Sequence, residues 1–152
     1  MNINHEFKVE LHQFCKSLLH EKRSVLKGQI SARKIDLETA SKSSAGDKHE
    51  TSRAMIHLEQ EKLGFQYVDL EKQIQSLSQI DKCITDSIHV GSLIETDKAL
   101  FYISIGLGKL CFNGIDVYVI SPVSPLAQAF LKTDSVEDVL FKSTSYKILS
   151  IT

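Results

Sequence analysis

The chain has 152 residues, 42% of them hydrophobic, enough for one ordinary domain or a small domain with an extended appendage. Its 18 Lys and Arg balance 19 Asp and Glu, leaving a net charge of −1. That balance excludes a polybasic membrane binder and a generic nucleic-acid coat, and the hydrophobic share excludes wholesale disorder.

Both prolines, Pro122 and Pro125, come late, so the first 121 residues can hold long unkinked helices. From residue 6 to 39 the apolar positions step by four and three: Phe7, Leu11, Phe14, Leu18, Val25, Ala32 and Ile35. Glu21 and Gly28 fill the intervening slots. A second stripe runs Ile56, Gln60, Leu63, Tyr67, Leu70, Ile74 and Leu77. Such steps set side chains along one seam and mark coiled-coil packing. Between them Ser41-Lys42-Ser43-Ser44-Ala45-Gly46 has the composition of a turn. The expected element is a long antiparallel helical hairpin over residues 1–82. Pairing residues whose numbers total 88 centres its turn on Ser44 and sets Leu18 against Leu70 and Val25 against Leu63.

After about Asp86 the period changes to two. Strands are expected over 90–94, 99–105, 115–120, 139–141 and 146–151. Asp97-Lys98 and Asn113-Gly114 supply the turns, the second being a strong β-hairpin signal. Ser124 followed by Pro125 reads as an N-cap and first helical residue, opening a short helix to about Leu131. Leu126, Ala129 and Phe130 are its expected core contacts. The fold class is α+β: the hairpin, then a small antiparallel sheet domain with one helix over 83–152, expected to fold alone.

Several short patterns carry little. Gly106-Leu107-Gly108-Lys109 lacks the G-x-x-x-x-G-K-(S/T) spacing of a phosphate loop and reads as a turn between strands. His49-Glu50 opens like a zinc-protease helix, but Arg53 stands where the second histidine should be. His5, His12 and His20 read as a solvated helix face. Cys15, Cys83 and Cys111 are odd in number with no Cys-x-x-Cys, so disulfides and zinc knuckles are not expected. Cys15 and Cys111 read as small buried hydrophobes. No apolar run approaches the roughly 20 residues of a membrane span. Residues 1–6 show no basic segment leading into an apolar one, so the expectation is no signal peptide and a cytoplasmic location.

Near the expected hairpin tip, Lys22, Arg23, Lys27, Arg33, Lys34, Lys42 and Lys48 outnumber Asp36, Glu38 and Asp47. The excess reads as an ordinary solvated face, or as a patch that steers toward an RNA phosphate backbone through Arg33, Lys34, Lys42 and Lys48. Gly46-Asp47-Lys48-His49-Glu50 opens the second helix with carboxylates at i and i+3, on one face. From spacing alone capping is the simpler reading, with Asp47 as cap and Glu50 at the third helical position.

That tip, together with Ile120-Ser121-Pro122-Val123-Ser124-Pro125-Leu126-Ala127-Gln128-Ala129-Phe130-Leu131-Lys132, resembles the bacterial transcript cleavage factors GreA and GreB. The resemblance spans nearly the whole chain in the right order. It implies an N-terminal coiled coil and a C-terminal FKBP-like domain that docks on RNA polymerase, here through Ser124, Pro125 and Gln128. The hairpin would enter the polymerase secondary channel and meet the 3′ end of the nascent RNA. There Asp47 and Glu50 would help hold a Mg²⁺ shared with the polymerase, and none held stably alone. Hydrolysis of backtracked RNA would belong to the polymerase, so the chain itself would be a transcription elongation factor and not an enzyme. Gln128 stands where the family commonly has Arg, and Glu137-Asp138 where it has Gly-Asp. Two other functions fit the same features: a channel regulator without cleavage, and a coiled-coil interaction protein unrelated to polymerase.

Overall fold

The structure, a computed structural model, describes residues 2–42, 46–133 and 137–152, without the side chains of 41, 42 and 46–49. The proline-free half forms two long helices, α1 (His5–Lys42) and α2 (Gly46–Ser78). A small mixed sheet follows, with one short helix. Two compact units result. Lys16–Gln75 form one; the residues up to Cys15 and Ser76–Thr152 form the other.

In the helical unit the stripe expected on α2 is the one that packs. Leu63 and Leu70 are buried, and Ile56, Gln60, Tyr67 and Ile74 are half-buried. On α1 the expected stripe holds only in part beyond Leu18: Ala32 is half-buried, but Val25 and Ile35 are 56% and 61% exposed. Among the protected positions, Leu19, Arg23, Leu26, Ile30, Arg33, Leu37 and Ala40 keep the steps of four and three. Hydropathy hides this seam because two of its members are arginines. Their side chains are only 28% and 35% exposed, and each reaches across to α2, Arg23 to Glu71 at 3.3 Å and Arg33 to Glu59 at 3.5 Å. The partners run in opposite chain order, so the helices are antiparallel. Their numbers total 94 and 92, set beside the 88 read for facing seam positions.

In the second unit the sheet has the order β3-β4-β2-β1-β7. Its strands are β1 (Leu93–Thr96), β2 (Leu100–Ile103), β3 (Gly108–Phe112), β4 (Ile115–Ile120) and β7 (Ile148–Ile151). β5 (Val139–Phe141) and β6 (Thr144–Tyr146) form a separate antiparallel pair. The expected all-antiparallel sheet is corrected by β2 and β4, which are parallel. β3 starts inside Gly106–Lys109, the segment read as a turn between strands, and runs on to Phe112; it takes the edge, with β4 between it and β2. Asn113-Gly114 makes the expected tight turn, both residues having positive φ (51° and 77°).

Side chains alternate across this sheet. One face sends Ile94, Phe101 and Ile103 against Ala127 and Phe130 of α3 (Pro125–Leu131), with Val139 and Ile148 in the same core. Leu126 and Ala129 pack against it as expected. The opposite face carries Leu93, Leu100, Tyr102, Val117 and Val119, all buried. It meets the first turns of α1: Phe7 and Phe14 set their rings 5.3 and 5.1 Å from Phe112, and His12 bonds Tyr102. β2 is therefore buried along its whole length, as a strand covered on both faces must be.

Candidate functional site

α1 runs through Ser41 and Lys42, which were expected in the turn, and α2 begins at Gly46; the expected turn centre, Ser44, lies outside the described residues. Asp47 lies inside the first turn of α2, not ahead of it as an N-cap, and its side chain is outside the described residues. Those of Lys42 and Lys48 are too. Glu50, three residues on, is exposed. An exposed carboxylate and an acid at i−3 supply hard oxygen ligands at the positive end of the helix dipole. Among the described residues no group of three or more His, Cys, Asp or Glu could hold a metal. A pair of carboxylates alone binds Mg²⁺ only weakly, because the ion prefers six oxygens in near-octahedral array.

The basic residues near this end divide. Lys34 is exposed, while Arg33 is shared between Asp36 and Glu59, both at 3.5 Å. Ser124, Pro125 and Gln128 sit together at the start of α3. Ser124 accepts from the Ala127 N–H at 3.3 Å, Pro125 opens the helix, and the Gln128 amide donates to the Pro122 carbonyl at 2.6 Å. Val123, between them in the turn, is 82% exposed.

A polar set that the sequence reading missed lies under the sheet. Lys8, His12 and Cys15 follow one another at helical spacing on α1, and all are buried. The Lys8 ammonium donates to the Cys83 carbonyl at 3.0 Å, and burial lowers its pKa. His12 Nδ1 and the Tyr102 hydroxyl are 2.7 Å apart. The three histidines of α1 are thus no solvated row: His12 is buried, His5 is half-buried, and His20 Nδ1 accepts from Arg23 at 2.8 Å. Cys15 is buried as expected, but Cys111 is exposed. The available signal was the doubling of the apolar stripe at Phe14-Cys15 and Leu18-Leu19, which marks a helix face wider than a coiled-coil seam, while Lys8 and His12 gave none.

Burial raises the Cys15 thiol from 9.0 to about 12 and holds the Tyr102 phenol well above its usual range. Both therefore keep their protons when folded at pH values where the unfolded chain has lost them. Stability should fall as pH rises, from about 9 for Cys15 and about 10 for Tyr102, by ~1.4 kcal/mol per pH unit for each group. Lys8 has the opposite sign just below its ordinary 10.5, so the net fall should steepen above that value. Urea unfolding across this range checks it: Tyr102→Phe should shed part of the slope, and a flat wild-type profile would contradict the assignment.

No family model matches the chain, and no curated protein or solved structure matches it. Among the described residues, no helix is long and apolar enough to cross a membrane.

Proposed function

We propose that the chain is a transcript cleavage factor that works inside RNA polymerase. The observation that carries the proposal is the placement of Asp47 and Glu50 at the turn end of two paired antiparallel helices. The stretch 16–42 of α1 extends about 40 Å at 1.5 Å per residue, long for a purely packing role. On this reading Lys16–Gln75 form the coiled-coil hairpin, and the sheet unit, which takes in the residues up to Cys15, is an FKBP-like docking domain in a bacterial, cytoplasmic protein. The start of α3, with Ser124, Pro125 and Gln128 held by local hydrogen bonds and Val123 exposed beside them, supports polymerase docking there.

In such a complex Asp47 and Glu50 would add charge and oxygen ligands to a site the polymerase completes. Bound Mg²⁺ supplies stabilisation of the attacking and leaving oxygens. Lys34, Lys42 and Lys48 would draw the RNA backbone toward the tip. Arg33 would have to leave Asp36 and Glu59 to join them.

The test is direct. Added to a stalled, backtracked elongation complex with Mg²⁺, the protein should shorten the RNA from its 3′ end. Unchanged RNA with inhibited synthesis would mark a channel regulator instead. No effect and no binding would leave an interaction protein unrelated to polymerase.

A further inference from the structure

We infer that Arg23 and Arg33 set the register of the paired helices against neighbouring registers that the apolar seam would accept. A seam built on steps of four and three repeats every seven residues, so sliding one helix by a heptad again sets seam against seam. Here the α1 seam from Leu19 to Ala40 faces the α2 seam from Ile56 to Ile74, and most of its members are medium-sized aliphatics. Such layers discriminate poorly between a pairing and its slid copy. The Ser41–Gly46 stretch has no proline to fix a turn.

The arginines do discriminate. In the observed register Arg23 meets Glu71 and Arg33 meets Glu59. A heptad slide one way sets Arg23 against Ser78 and Arg33 against Gln66; the other way, against Gly64 and Ser52. Neither slide places an α2 carboxylate opposite either arginine; Arg33 keeps Asp36, which lies on its own helix, in every register. Both arginine side chains are more than half covered, so a slide costs each its cross-helix partner at a partly desolvated position, the loss being greater at Arg23 because Arg33 retains Asp36. A polar residue at a seam position is a known way to fix register at some cost in stability. Here there are two, ten residues apart, each with one carboxylate partner on α2.

Spin labels at two exposed positions, Val25 and Val68, read the register directly. They are placed by cysteine substitution in the full chain with Cys83→Ser and Cys111→Ser, the two exposed thiols. The parent should give one inter-label distance. A heptad slide displaces the helices by about 10 Å, so a second register gives a separate peak. Arg23→Leu with Arg33→Leu should split the distribution or move its peak, and Arg23→Glu with Arg33→Glu should do so more strongly. Adding Glu71→Arg and Glu59→Arg to the latter restores both pairs and should restore the single distance. One unchanged peak in the Leu variant would overturn the inference. Should that variant unfold, the charge-swapped set decides: a split distribution there would overturn it equally.

Discussion

A fragment that begins at Cys83 should not melt cooperatively, although it contains every strand and α3. The strands were expected to bury their own face, and one face does close on α3. The other is covered by residues that the fragment lacks. Phe7, Leu11, Cys15 and Leu77 are each at most 5% exposed in the whole chain. At ~1.5–3 kcal/mol per fully buried side chain, their loss is comparable to the ~5–15 kcal/mol that holds a whole domain together. The fragment would also uncover Tyr102 and strip it of His12. The natural unit is instead the stretch up to Cys15 joined to Ser76–Thr152. A chain in which a short Gly-Ser linker replaces Lys16–Gln75 should show a single sigmoidal transition by circular dichroism. A cooperative melt of the fragment from Cys83 would refute this account of the core, as would an unfolded linker chain.

Legibility in the sequence followed how strongly local chemistry determined each element. α3 was readable to the residue, because Ser124, Pro125 and the apolar face behind them each demand a helix start at that point. Asn113-Gly114 was readable because few other residue pairs accept two positive φ values in succession. α2 showed its seam because its packed positions are largely apolar. α1 did not, because Arg23 and Arg33 lie in the seam while Val25 and Ile35 lie outside it. Apolarity is a proxy for burial, and long charged side chains that pack along their stems break it. β3 was hidden by its glycine: Gly108, with φ of 74°, signals a turn while opening a strand. The parallel β2–β4 pair could not be read locally, since it depends on where β3 goes. The carboxylates at 47 and 50 were legible as a pair on one helix face. Whether they cap, coordinate or do neither is set by what surrounds them in a complex, which no spacing encodes.

Replacing Asp47 with Asn and Glu50 with Gln should leave the fold intact and remove stimulated RNA cleavage. The two possible duties of these residues make different demands. As charges near a helix N-terminus they contribute ~0.3–1 kcal/mol each, and their amides keep the side-chain volume. Gln matches Glu in helix propensity, so the second change costs the helix little. The thermal midpoint should therefore move by only a few degrees, and polymerase binding through the start of α3 should persist. Coordination is less forgiving. A hard cation needs anionic oxygen, and each amide removes one unit of charge from a site with few ligands. Losing several kcal/mol of transition-state stabilisation slows cleavage about 100-fold or more, since each 1.36 kcal/mol is a factor of ten. Raised Mg²⁺ should recover part of the rate in the single variants before the double one. If the double variant cleaves backtracked RNA at the wild-type rate while still binding polymerase, the carboxylates only hold the helix end and the proposed mechanism is wrong.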